Sequence, residues 1–146
     1  LIAGKPWKND FTVYQQIINK NNLSGDVILH TRFIPHADVE HYYCASDLVV
    51  LPYKKIYQSG VLMMTLSYER PALVSNLPPL KEVLIDNENG FLFKSEDVND
   101  LVKKLNLILS DKNNLKRVQK NGRILINDKF SWDEIGILTK KAYQTL

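Results

Sequence analysis

Short apolar runs alternate along this chain with longer segments in which apolar residues recur every three or four positions. Leu1 to Ala3 is the first run, and Gly4-Lys5-Pro6 breaks it. From Asp10 to about Lys20, Val13, Tyr14, Ile17 and Ile18 fall at helical spacing, and polar Asn19 to Asn22 ends the segment. Asp26 to Arg32 contains Val27-Ile28-Leu29, a second strand. After Phe33-Ile34-Pro35 a short helix is expected, with Ala37 and Asp38 near its start and Val39, Tyr42 and Tyr43 among its apolar positions. Leu48 to Leu51 is apolar on both faces, which predicts a central strand covered by helices on either side, and Ala72-Leu73-Val74 reads in the same way. Val61 to Leu66, between these two strands, is apolar almost all round and predicts a buried helix.

The second half begins with Pro78-Pro79, opening a short helix through Val83-Leu84-Ile85. A turn over Asn87 to Gly90 and a last short strand, Phe91-Leu92-Phe93, follow. Beyond this the pattern is helical only. Ser95 is expected to cap a helix with Glu96 and Asp97 in its first turn and an apolar stripe on Val98, Leu101, Val102, Leu105, Ile108 and Leu109. Two further helices are expected around Leu115 to Ile126 and Asp133 to Tyr143. Alternating strands and helices predict βαβ units, an α/β fold around a parallel sheet. The 146 residues suit a single domain, and no repeat, low-complexity segment or linker interrupts them.

Charge changes this picture only in its distribution. The net charge of +3 argues against a dedicated nucleic-acid binder. Residues 1–99 carry nine basic and eleven acidic side chains, and residues 100–146 carry ten and five, so the positive charge belongs to the tail. Lys103, Lys104, Lys112, Lys116, Arg117, Lys120 and Arg123 fit the solvated side of amphipathic helices, with contact to an anionic membrane surface as the alternative. No apolar run approaches the ~20 residues of a membrane-spanning helix, which predicts a soluble or peripheral protein. The lone Cys44 excludes an internal disulfide framework and reads as a buried small hydrophobe. His30, His36 and His41 are spaced unlike metal ligands and read as structural or surface residues.

The segment from Tyr53 to Pro71 carries the clearest chemistry. An apolar strand ends at Pro52, a polar loop with Lys54, Lys55, Gln58 and Ser59 follows, and Gly60 opens the apolar helix. In open α/β sheets, ligands sit beyond the carboxyl ends of the strands, where a helix start offers unpaired N–H groups and the positive end of a dipole. Gly60, lacking a Cβ, lets an anion approach its amide. The competing reading is a Ser59 that caps the helix and a Gly60 that only turns the chain.

Phe33-Ile34-Pro35, Tyr43 to Pro52, Ser59-Gly60-Val61-Leu62, Arg70 to Asn76, Lys81-Glu82-Val83 and Asn89 to Phe93 come in an order that resembles the carboxy-terminal domain of group 1 glycosyltransferases. Phe130-Ser131-Trp132, entering the last helix, fits as well, so the resemblance covers nearly the whole chain. It implies the Rossmann-like, nucleotide-sugar-binding lobe of a retaining GT-B enzyme that needs neither metal nor cofactor. It places the donor diphosphate on Gln58, Ser59, Gly60 and Val61, the base on Phe33, Ile34 and Pro35, and the donor sugar towards Tyr53, Lys54 and Ile56. The donor would be a UDP-, GDP- or ADP-sugar. The acceptor, a saccharide or a lipid-linked one, would be held by an amino-terminal lobe, with cytoplasmic localisation, at the inner membrane face for a lipid-linked acceptor.

Two features depart from the family pattern. The family usually carries one Glu in the loop, touching the donor sugar, and a second eight positions later, touching the ribose. Aligned through Pro71, these positions hold Ile56 and Met64, neither of which can accept a hydrogen bond as a carboxylate does. Gln58, Tyr53 or Lys54 are the candidate substitutes. The phosphate-neutralising Arg and Lys of the family would precede Leu1, and Lys5 does not match them, so the chain is expected to be a fragment lacking a first strand and helix and inactive alone. Two alternatives stand beside this reading. A dinucleotide-binding Rossmann domain would show Gly-x-Gly-x-x-Gly after a strand, and none occurs. A catalytically inactive module that binds a nucleotide or a partner would also lack the two glutamates.

Overall fold

Apolar runs and helical segments resolve into five strands and seven helices in the computed structural model, which describes residues 1–6 and 10–145. In chain order they are β1 (Ile2–Ala3), α1 (Thr12–Lys20), β2 (Leu29–His30), α2 (His36–Cys44), β3 (Val49–Leu51), α3 (Gly60–Ser67), β4 (Ala72–Ser75), α4 (Pro78–Lys81), β5 (Phe91–Phe93), α5 (Val98–Ser110), α6 (Lys112–Lys129) and α7 (Trp132–Gln144). They fall into two units, Leu1–Tyr42 and Tyr43–Leu146. Each holds one parallel sheet, β1-β2 in the first and β3-β4-β5 in the second.

In the first unit Ile2 pairs with Leu29 and Ala3 with His30. Gly4, at φ 126°, takes a left-handed turn that bulkier residues resist, and its N–H still donates to the His30 carbonyl at 3.0 Å. The Asp10 carboxylate accepts from the Thr12 N–H at 2.9 Å and the Thr12 hydroxyl at 2.6 Å, so α1 begins two residues after Asp10. Of the four apolar positions read onto α1, only Ile18 is buried. His30 Nδ1 lies 2.8 Å from the Tyr42 hydroxyl.

The second unit is organised by β4, all four of whose residues are buried. Side chains alternate between the faces of a strand. Ala72 and Val74 accordingly join Leu51, Leu62, Leu66, Leu80, Leu84 and Ile126 in one core cluster. Leu73 joins Phe91, Phe93, Ile108 and Val118 in the other. The central strand is therefore β4, and β3, apolar on both faces, lies at the edge of its sheet with Val49 and Val50 only half-buried. Gly122 lets α6 approach closely, because a Cβ there would stand 2.9 Å from Leu66 Cδ2 and 3.1 Å from the Asn89 carbonyl oxygen.

Local chemistry moves several other boundaries. Asp97, not Ser95, caps α5, accepting from the Asp100 N–H at 3.0 Å, while Glu96 takes a positive φ of 60° that ends any earlier helix. The Ser95 amide instead donates to Asn76 Oδ1 at 3.0 Å. Cys44 ends α2 and is exposed, because the helix turns it away from the core. The basic tail is partly structural. Lys104 pairs with Asp86 at 2.7 Å, Arg117 donates to the Asn87 carbonyl at 2.7 Å, and Arg123 reaches the Ser67 carbonyl and Glu69, tying α5 and α6 to the turns around residues 67–69 and 86–88. Among the described residues, no helix is long and apolar enough to cross a membrane.

Two outcomes follow from this packing. Leu73→Ala, at a fully buried position, should lower unfolding free energy by about 2–5 kcal/mol in urea denaturation. Tyr43 stacks on Tyr68 with ring centroids 5.0 Å apart, and burial holds its hydroxyl pKa above the ordinary 10.0 despite an opposing hydrogen bond with Thr65. The folded state thus keeps this proton more tightly than the unfolded chain, and stability should decline as pH rises above about 10. Tyr43→Phe should flatten that decline in pH-dependent thermal unfolding.

Candidate functional site

The loop after β3 is anchored before it becomes polar. The Tyr53 N–H donates to the Leu51 carbonyl at 3.0 Å, and both Tyr53 and Ile56 pack against the first core cluster. Ser59 then takes an extended conformation, φ −126° and ψ 97°, and is buried. Its hydroxyl oxygen accepts the Leu62 N–H at 3.1 Å and its carbonyl accepts the Met63 N–H at 3.2 Å. Tyr53 Oη lies 3.4 Å from Ser59 Oγ, which braces the cap from the loop side.

The cap thus satisfies the third N–H of α3 and leaves those of Gly60 and Val61, which precede the first intrahelical bond, free to meet an anion. The reading of Ser59 as a cap and the reading of this turn as an anion site are compatible. Gly60 is exposed, its φ is not positive, and a Cβ built there would meet nothing within 4 Å. Neither backbone conformation nor internal packing calls for a glycine at this position.

A cavity of about 540 Å³ opens beside this turn, lined by Gln58, Ser59, Gly60, Met63, Glu82 and Phe130 among others. Glu82 and Phe130 carry no site role in the sequence reading. In the sequence they stand out only through the Lys81-Glu82-Val83 and Phe130-Ser131-Trp132 motifs of the family pattern. The Glu82 side chain is exposed and supplies the cavity with a carboxylate.

The other candidates divide by environment. Val61 is 42% exposed at the helix start and Met64 is half-buried, and neither lines this cavity. Ile56 is half-buried against the core, so the position where the family carries a carboxylate serves here as a packing anchor. Lys54 is exposed and pairs with Glu96 at 3.3 Å, a contact worth about 0–1 kcal/mol at such exposure. Phe33 is 72% exposed, Ile34 half-buried and Pro35 exposed; the Pro35 carbonyl accepts the Asp38 N–H at 2.9 Å, opening α2. These three belong to the first unit, and the loop and α3 belong to the second.

The family model for glycosyl transferases group 1 matches residues 1–125, and the chain belongs to that family. An uncharacterized glycosyltransferase of Methanocaldococcus jannaschii is 26% identical over 140 residues, which cover 94% of this chain and 39% of the relative. Among solved structures, sucrose-phosphate synthase from Thermosynechococcus elongatus gives a TM-score of 0.83 at 23% identity, covering 97% of this chain and 36% of that one. Anabaena HepE in complex with UDP-glucose gives 0.86 at 18% identity, covering 99% and 40%. The two structural likenesses are of fold, the Rossmann-like α/β architecture of GT-B glycosyltransferases, and the chain spans about two fifths of the length of all three relatives.

Ser59→Ala removes the cap acceptor and should cost about 1 kcal/mol in urea denaturation. Ser59→Thr, which keeps a hydroxyl, should recover most of that loss.

Proposed function

We propose that this chain is the donor-binding lobe of a retaining, metal-independent glycosyltransferase that takes a UDP-, GDP- or ADP-sugar. The observation that carries the reading is the start of α3: two N–H groups without intrahelical acceptors, and between Ser59 and Val61 a glycine that nothing inside the structure requires. A nucleoside diphosphate leaving group gains charge as the glycosidic bond breaks. Fixed amide dipoles aimed at its oxygens stabilise that charge without reorganising, which is what such a helix start supplies.

In this reading Gln58, Ser59, Gly60 and Val61 hold the diphosphate. Tyr53 and Lys54 stand towards the donor sugar, where Ile56 offers only an apolar side chain. The family resemblance alone assigns the base to Phe33, Ile34 and Pro35, with Met64 on the ribose side. The acceptor, a saccharide or lipid-linked saccharide, belongs to a further lobe, so the 146 residues by themselves bind donor weakly and transfer nothing. The reaction takes place in the cytoplasm, at the inner membrane face where the acceptor is lipid-linked. That HepE was solved with UDP-glucose supports a nucleotide-sugar donor for this fold.

A second reading, a module that binds nucleotide or a partner without catalysis, is favoured by the packing of Ile56 against the core, where the family has a carboxylate. Sugar transfer by the longer protein separates the two readings, since turnover contradicts the second one.

Backbone amide NMR tests the site itself. Titration with UDP, GDP and ADP should move the amides of residues 58–61 for at least one nucleotide, and Gly60→Val should weaken that response at least about tenfold without unfolding the chain. An unmoved set of amides at millimolar nucleotide would remove the donor assignment.

A further inference from the structure

Glu82 carries a charge that neither the fold nor the proposed diphosphate site explains. It caps the carboxyl end of α4, its N–H donating to the Pro78 carbonyl at 3.1 Å, and a carboxylate at that end of a helix gains nothing from the helix dipole. Its side chain is exposed and enters none of the ion pairs among the described residues. It lines the cavity of about 540 Å³ beside the start of α3, and no other carboxylate, lysine or arginine lines it with Glu82 among the described residues.

The rest of the lining sets what can meet that carboxylate. Tyr57 and Phe130 bring two aromatic rings to the same cavity, and aromatic faces attract organic cations. A hard divalent metal ion needs several oxygen ligands, whereas Glu82 is the single carboxylate here, and among the described residues no cluster of metal-ligating side chains occurs. An anion held at the start of α3 leaves a second negative charge in the same cavity, and the two repel unless a cation enters with the anion. The volume lies within the about 300–1,000 Å³ of small-molecule sites, so one compact ligand can reach both Gly60 and Glu82.

We propose that Glu82 is a specificity-determining residue, which holds the organic ammonium group of a substrate whose phosphate lies on the proposed diphosphate site. The phosphate half rests on the reading of α3 given under the proposed function, and the ammonium half rests on Glu82 and the aromatic lining. The substrate class is thereby narrowed to compounds that carry a primary or quaternary amine close to a phosphate, since a phosphate with a neutral substituent leaves Glu82 unpaired.

Amide NMR of the 146-residue chain tests this with phosphoethanolamine and phosphocholine. Glycerol 1-phosphate supplies the anion without a cation, and choline chloride supplies the cation without the anion. At least one of the two zwitterions should give saturable shifts at Gly60, Glu82 and Val83, and should bind at least about threefold tighter than glycerol 1-phosphate. Glu82→Gln, at an exposed position, should leave the melting temperature unchanged and abolish that preference. Its response to glycerol 1-phosphate should be equal or stronger, because a like charge has been removed.

Equal binding of the zwitterions and glycerol 1-phosphate by the native chain, a preference that survives in Glu82→Gln, or choline binding as tightly as the zwitterions would each overturn the proposal. UDP on the same sample reads the Gly60 and Val61 amides. A UDP response without a zwitterion preference removes the role of Glu82 and leaves the diphosphate site standing. A zwitterion preference lost in Glu82→Gln, with no UDP response, supports the role of Glu82 and removes the nucleotide reading.

Discussion

Ser59 holds the first turn of α3 through two bonds at once, its hydroxyl oxygen accepting the Leu62 N–H and its carbonyl accepting the Met63 N–H. The residue is buried, so the cap is not traded for water, and Tyr53 stands against its outer side. The next layer down is what makes that turn rigid. Leu62, Leu66 and Thr65 are buried, with Leu62 and Leu66 packed against Ala72 and Val74 of β4. The helix is thus pinned from its middle, while its start projects two amides for which the described residues offer no acceptor. A helix whose stability came from its own exposed turns would fray at this end, and its first amides would not be preorganised.

The tail contributes to the same rigidity by a route its composition conceals. Its positive charge reads as a solvated face, yet Lys104, Arg117 and Arg123 each reach back to a carboxylate or a carbonyl of the turns around residues 67–69 and 86–88. Asn121 does the same at the Glu88 carbonyl, and Gly122 lets α6 come within contact of Leu66. These bonds are exposed and individually small. Together they fix α6 over the back of α3, so the helix that presents the candidate site is held on the face away from solvent.

Element type is legible in the sequence where an apolar run is unbroken, as in β4 and α3, and where hydrophobic periodicity is strong, as in the long helices α5 and α6. Strand order is not. Leu48 to Leu51 and Ala72 to Val74 look alike in composition, and only pairing reveals that β4 lies between β3 and β5. Ser95 and Asp97 are both good cap residues, and the choice fell to Asp97 because Glu96 takes a left-handed conformation between them. Cys44 reads as buried from its apolar neighbours, yet it is exposed at the end of α2. At the site, Ser59 and Gly60 could be read from the strand, loop and helix pattern. Glu82 and Phe130 could not be read as lining the same cavity, because they approach it from elements distant in sequence.

In the proposed function, the free amides at the start of α3 receive a nucleoside diphosphate. A crystal structure of the chain grown with UDP measures this most directly. Diphosphate oxygens are expected within hydrogen-bonding distance, about 3 Å, of both the Gly60 and Val61 nitrogens, with Ser59 still bonded to the Leu62 N–H. A diphosphate bound elsewhere on the chain, with water alone on those two amides, would contradict it.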